Sequence, residues 1–218
     1  MRDAAPGTGA DAGAGPPPQP EPSYAERRKA ALRVEIAREA VRLFTARGVT
    51  HTTGEHIAEA VGISARTLWR YFPSKEGCVR PLLAAGLDIA VEALRHWPAG
   101  TSLQDFLGSA AELGGLPVAE PVVLDLILLT RSEPSLRLVW LQAHDEALPV
   151  LAGLLARRSG GDPDDLRVKV HAATLNGALR AAAEDFAADF ADQADLAPAE
   201  LTTRLQAALR AASEGLPY

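Results

Sequence analysis

The densest chemistry in this 218-residue sequence lies in residues 61–76, VGISARTLWRYFPSKE, where Arg66, Arg70 and Lys75 alternate with Ser64, Thr67, Trp69 and Tyr71. Guanidinium and ammonium groups donate to phosphate oxygens, and the planar fork of arginine also matches the acceptor edge of guanine. Hydroxyls beside such cations add backbone contacts that fix register. The chemistry on offer is recognition of a polyanion. Bond-making motifs are missing: there is no glycine-rich phosphate loop, nucleophile elbow, paired-cysteine motif or His-Glu-x-x-His. His144-Asp145-Glu146 clusters potential ligands, but neighbours on a helix point to different sides, so neither a metal site nor a cofactor is expected. His171 and Asn176 could donate to a bound ligand or serve as satisfied core groups. Cys78, the single cysteine, is either buried and inert or a sensor of oxidants.

These residues need helices to hold them. Ser23-Tyr24-Ala25-Glu26 matches a capping box, and Leu32, Ile36, Ala40, Leu43 and Phe44 then recur at helical spacing up to Gly48. Thr52-Thr53-Gly54-Glu55 reads as a second box opening a short helix with Ile57, Ala58 and Val61 inward. Gly62 turns the chain, Ser64 caps a third helix and Pro73 stops it, the pattern of a helix-turn-helix. In that third helix Leu68 and Phe72 face the core with Ile63. Arg66 and Arg70 therefore lie about 160° round from Leu68, on the outer face. Ala65 and Trp69 share one flank, Thr67 and Tyr71 the other. A small helix end with arginines opposite the core suits a helix laid in a major groove.

Charge supports this division. Residues 23–80 hold 11 Lys+Arg against 6 Asp+Glu, whereas residues 81–218 hold 10 against 19, so the overall net charge of -6 belongs to the rest of the chain. Such asymmetry is a footprint of nucleic-acid binding. Residues 1–22 are Ala, Gly and Pro with little to bury and read as a disordered arm. No apolar run of signal-peptide or membrane-spanning length is present, so a cytoplasmic protein is expected.

The run from Ala30 to Leu83 resembles the DNA-binding domain of the tetracycline-repressor (TetR) family. The matching features are the Thr pair, Ile57-Ala58, Gly62-Ile63-Ser64, Thr67-Leu68, Tyr71-Phe72 and Ser74-Lys75-Glu76. The resemblance implies an all-α homodimer: a helix-turn-helix reader (23–73), then a helical ligand-binding and dimerisation domain (74–218). It implies phosphate contacts from Thr53, Ser64, Thr67, Tyr71 and Lys75, and groove-facing positions at Ala65, Arg66 and Trp69. Trp69 stands where the family more often has Tyr or Phe, so packing on backbone or a thymine methyl would replace a hydroxyl bond. The function implied is a repressor released from a palindromic double-stranded operator by a small hydrophobic ligand. An activator, a redox-responsive regulator or an enzyme or carrier with an unused reader are the rival readings.

Beyond the reader, apolar spacing predicts a helix from Ser74 to Trp97 kinked at Pro81, helices over 102–113 and 119–131, and a bent helix from Ser135 containing Pro149. Asp162 and Pro163 are expected to open the next helix, and Pro198 the last. Leu175, Gly177 and Leu179 on one, with Leu201, Leu205 and Leu209 on the other, are expected to form a four-helix dimer interface. The segment Leu124 to Phe186 is similar to the branch of the family with acyl-CoA-like or lipophilic ligands. That likeness implies a pocket near Arg131, Arg137, Trp140 and His144, the arginines meeting an anionic group or pairing with surface acids; Trp97, His171 and Asn176 are further candidate ligand contacts from their helix positions.

Overall fold

The computed structural model describes residues 23–112, 119–190 and 198–214; the predicted arm, Gly114-Gly115 and Pro117 lie outside them. Among the described residues there are helices and no strand: α1 (Tyr24–Arg47), α2 (Gly54–Ala60), α3 (Ala65–Tyr71), a 3-10 turn (Glu76–Val79), α4 (Arg80–Arg95), α5 (Leu103–Glu112), α6 (Pro121–Ser132), α7 (Pro134–Ser159), α8 (Leu166–Asp189) and α9 (Pro198–Ser213).

Local chemistry explains the helix ends. At α1, Glu26 N donates to Ser23 Oγ (3.3 Å) and Ser23 N donates to Glu26 Oε2 (2.7 Å), the expected reciprocal box. Gly48, at φ 79°, ends the helix. The second box is shifted one residue from expectation. Thr53 is the N-cap, and His56 closes the box: its N–H donates to Thr53 Oγ1 (3.3 Å), while its Nδ1 accepts from Thr53 N (3.2 Å). Thr52 is fully buried because its hydroxyl donates to Gly48 O (2.9 Å) inside the α1–α2 loop. Gly62 takes φ 72° in the turn, and Ser64 caps α3 by accepting from Thr67 N (3.1 Å).

Two further starts correct the sequence reading. Pro81 interrupts no helix: α4 begins at Arg80, so the proline falls in its first turn, where a missing N–H costs no bond. Asp162 and Pro163 belong to a turn in which Asp164 N donates to Asp162 Oδ1 (2.8 Å). Asp165 caps α8 instead, accepting from Arg167 N (2.7 Å). Pro149 does lie inside α7, which is assigned as one helix to Ser159 and ends at left-handed Gly160.

One buried cluster joins the reader to the rest. Ile36, Phe44, Ile57, Leu68 and Phe72 pack in the same cluster as Leu124, Leu136, Trp140 and Phe186. The packing runs across the expected boundary after residue 73. A second cluster gathers Leu94, Trp97 and Leu103 with Leu155, Val168, Leu175 and Leu209. Each fully buried leucine contributes roughly 1.5–3 kcal/mol of transfer free energy, so α1 is held by both halves of the first cluster.

Candidate DNA-reading surface and core cavity

The α3 face stands as its spacing predicts. Leu68 is fully buried, while Arg66 and Arg70 are exposed. The Arg70 guanidinium lies 5.2 Å from the centre of the Tyr71 ring, and Lys29 Nζ of α1 lies 5.8 Å from the same centre. Lys29 thereby joins the surface, although nothing in local spacing signals it. Thr53 is exposed at the α2 start, and the Ser64 and Thr67 hydroxyls are 2.9 Å apart at the α3 start. These hydroxyls hold helix ends and keep bonding capacity for phosphate oxygens. Ala65 is half-buried. Trp69 is 42% exposed, with its ring laid over Gly54: a Cβ there would stand 2.1 Å from a ring carbon. A side chain at position 54 would displace the indole from this place.

Lys75 departs from its expected role. Its ammonium donates to Val49 O (2.6 Å) and Thr52 O (2.8 Å), and Glu76 is 3.8 Å away. Orphan carbonyls of the α1–α2 loop need donors, and Lys75 supplies them. It acts as an internal strut, not as a hand extended to phosphate.

Beneath the reader lies a cavity of about 260 Å³. Val34 and Arg38 of α1, Leu82, Leu83, Gly86 and Leu87 of α4, Val123 and Ile127 of α6, Trp140 and His144 of α7, Leu179 of α8, and Leu201 and Leu205 of α9 line it. Its wall is mainly apolar, and among the described residues three of its groups can carry charge. Arg38 and Glu120 form a forked pair (Nη2 to Oε1 2.8 Å, Nε to Oε2 3.1 Å), so each charge answers the other. His144 is 5% exposed; its Nδ1 is 2.9 Å from Asn176 Oδ1, and Asn176 Nδ2 donates to His144 O (3.1 Å). Burial holds the His144 imidazolium below its ordinary pKa, partly offset by the Asn176 bond.

Of the expected pocket residues, the fold brings Trp140 and His144 together on this cavity, with Asn176 directly behind, and it gathers Arg131, Arg137 and Trp140 around a neighbouring depression of about 210 Å³. Trp97 lies elsewhere, stacked on Phe106 (6.2 Å) under the Arg158 guanidinium (4.2 Å), its Nε1 donating to Thr101 O (2.9 Å). Arg131 donates to Ala187 O (3.4 Å), and Arg137 pairs with Glu184 (2.9 Å); neither lines the cavity. His171 faces a separate surface depression beside Asp165 and Arg158.

The expected dimer residues are corrected as well. Leu175, Leu179, Leu201 and Leu209 are 0–4% exposed within the single chain, and Leu179, Leu201 and Leu205 line the cavity. They serve this chain's own core. Gly177 alone sits toward the outward face of α8, in a row with Leu166 (76% exposed), Val170 (52% exposed), Ala173 and Ala181. Cys78 is fully buried, and desolvation followed by the Glu76 charge pushes its thiol up to about 12, so a reactive thiolate is disfavoured. Among the described residues no group of three potential ligands could hold a metal ion, and no helix is long and apolar enough to cross a membrane.

Comparison with known proteins places these features. The family model described as bacterial regulatory proteins, tetR family, matches residues 36–82, and that of the MftR C-terminal domain matches residues 119–217. The HTH-type transcriptional regulator TcmR of Streptomyces glaucescens is 35% identical over 148 residues, spanning 64% of this chain and 66% of TcmR. MftR of Mycobacterium tuberculosis is 29% identical over 168 residues, spanning 75% of this chain and 83% of that protein. The solved structure of the fatty acid degradation regulator FadR from Bacillus halodurans shares the fold, with a TM-score of 0.52 at 18% identity over 86% of this chain and 97% of that one.

Proposed function

We propose, since this chain belongs to the tetR family of bacterial regulatory proteins, that this transcriptional regulator is a homodimeric repressor whose grip on a palindromic operator ends when a small hydrophobic molecule fills the core cavity. It would act in the cytoplasm, where the operator is. The observation that carries this reading is the cavity wall: Val34 and Arg38 come from α1, and Leu82 to Ala90 from α4, beside the core helices. Helix α1 is the first helix of the reader, and its Ile36 and Phe44 pack in one cluster with Leu68 of α3. A ligand that needs more room than the empty cavity must push on the element that positions α3.

The lever is the near half of α4. Its far end at Leu94, and Trp97 just beyond it, pack in the second cluster and do not line the cavity, contrary to the expectation that a ligand would press there. In a dimer, two α3 helices must meet half-sites one DNA turn apart, so a small change in their separation costs contacts. The ligand must bind the released form better, and DNA must weaken the ligand by the same factor, typically 5–150-fold. The test is a gel shift on DNA upstream of the gene, then calorimetry of the co-purifying compound, identified by mass spectrometry, with and without that DNA. Equal affinity in both titrations defeats the repressor-release reading.

Dimerisation falls to the outward row of α8 around Gly177, since the leucines are already used inside. Ala181→Glu is expected to leave the fold intact and give monomers by light scattering, with operator affinity falling in step. Leu205→Glu would instead set a carboxylate against the chain's own cavity and lower stability by several kcal/mol. A dimeric Ala181→Glu protein defeats this placement of the interface.

A further inference from the structure

The His144–Asn176 pair fixes a proton, and the proton limits what the cavity can bind. Asn176 Nδ2 donates to the His144 carbonyl (3.1 Å), which orients the amide. Turning the amide over would set its oxygen against that carbonyl and lose the bond. In this orientation Oδ1 faces His144 Nδ1 at 2.9 Å, and an amide oxygen only accepts. Nδ1 therefore carries the hydrogen. In a neutral ring Nε2 then carries the lone pair; the one side-chain hydrogen bond of the ring runs through Nδ1, and Nε2 is not among the fully buried unpaired atoms, so it is open to a small partner. The ring is 5% exposed, belongs to the cavity lining and meets Trp140 edge-on at 5.1 Å. An acceptor without a partner in a mainly apolar wall gains most from a ligand that donates to it.

Charge narrows the ligand further. Among the described residues the only charged side chains on the lining are Arg38 and Glu120, and they hold each other through a forked pair. A carboxylate or phosphate inside would find no uncommitted cation there and would face the His144 lone pair. We infer that the cavity takes an uncharged, mainly apolar molecule bearing a hydrogen-bond donor, such as a phenolic or alcoholic hydroxyl, which donates to His144 Nε2. This rests on reading the cavity as the effector site, and it departs from the expected pairing of arginines with an anionic group.

Three shape-matched probes test it on the full-length protein without DNA: 2-naphthol, 2-methoxynaphthalene, which lacks the donor, and 2-naphthoate, which carries a charge. Fluorescence titration is expected to give 2-naphthol an affinity roughly ten-fold above either of the others, the scale of one hydrogen bond. His144→Leu should bring 2-naphthol and 2-methoxynaphthalene to equal affinity. Should that variant not fold, nitrogen NMR of histidine-labelled native protein still decides the matter, with the His144 signal assigned through its contact to Trp140. Nδ1 is expected to be protonated, Nε2 unprotonated, and Nε2 to shift on adding 2-naphthol. A protonated Nε2, equal native affinities for 2-naphthol and 2-methoxynaphthalene, or no binding by any probe overturns the inference. Because no operator is present, failure here is distinct from failure of the repressor reading, which the gel shift judges.

Discussion

The reading surface takes its candidate contacts almost entirely from residues 53–71, whereas the cavity beneath it gathers Val34, Leu82, Val123, Trp140, Leu179 and Leu205 from six different helices. The surface is exposed and cationic, in a segment where Lys+Arg outnumber Asp+Glu by 11 to 6 over residues 23–80. The cavity is lined mainly by leucine, valine and alanine, with the half-exposed Arg38–Glu120 pair internally matched. A surface that reads DNA depends on which side chains point outward. A cavity that reads small molecules depends on what the packing leaves unfilled. Yet both share α1, the physical link on which the proposed coupling rests.

The sharpest way to break this comparison is to separate the regions. Leu68 is fully buried in the reader, but its cluster extends to Trp140 in the cavity wall. Leu68→Ala should cost about 2–5 kcal/mol of stability, the range for large-to-small changes in a packed core. Denaturant unfolding followed by signals from Trp69 and from Trp140 should still show a single shared midpoint, lowered for both. Two separate transitions would mean that reader and cavity fold independently, and the proposed route from ligand to DNA would lose its physical basis.

The middle test sharpens the division within the reader itself. Lys75→Met removes two charged hydrogen bonds to loop carbonyls and should cost roughly 1.5–3 kcal/mol of stability. The salt dependence of operator binding, compared where both proteins are folded, should stay unchanged, because no phosphate contact is lost. Arg66→Ala should do the reverse: stability unchanged, and roughly 1–3 kcal/mol of discrimination lost at one base pair per half-site. A Lys75→Met protein of native stability with a shallower salt slope would return Lys75 to the DNA interface.

How much of this was legible in the sequence follows from the same contrast. The helix-turn-helix was legible because its information is local: Gly62, Ser64, Leu68 and Phe72 lie within one helix length, and spacing alone sets their directions. The second capping box was misplaced by one residue, because histidine at position 56 closes it where a glutamate is the usual signal. Pro81 was misplaced because the apolar spacing gives no sign that Glu76–Val79 is a 3-10 turn before α4, and Asp162 because an aspartate suits a helix's first turn and a preceding turn alike. The cavity was half legible. Trp140 and His144 were found, but Arg38 and Glu120 are 82 positions apart and no periodicity links them. The leucines of α8 and α9 show why stripes mislead: an apolar row says that something covers it, not whether that cover is this chain or a second copy. Here the cover is the chain's own cavity and core.

The smallest expected effect concerns protons, and it tests the cavity's polar pair without any ligand. Burial lowers the pKa of His144 in the folded protein relative to its ordinary value, while the Asn176 bond and the Glu184 charge oppose that shift and the Arg180 charge adds to it. An unfolded histidine titrates near 6.5. Above that pH both states are neutral at this site, and the site makes stability independent of pH. As the pH falls below about 6.5 the unfolded state binds a proton that the folded state resists, so stability must fall on the acid side, until the depressed folded pKa is reached. The slope from one such group is at most about 1.4 kcal/mol per pH unit. His171, also lowered chiefly by desolvation, would add a slope of its own, so the informative quantity is a difference between proteins. Urea denaturation of the native chain and of His144→Leu between pH 7.5 and pH 5 should give two curves, the native one steeper on the acid side and the gap between them changing only below the unfolded pKa. Parallel curves would mean that the folded protein takes up the proton as readily as the unfolded chain. The imidazole would then be open to water and no longer the dry acceptor in the cavity wall.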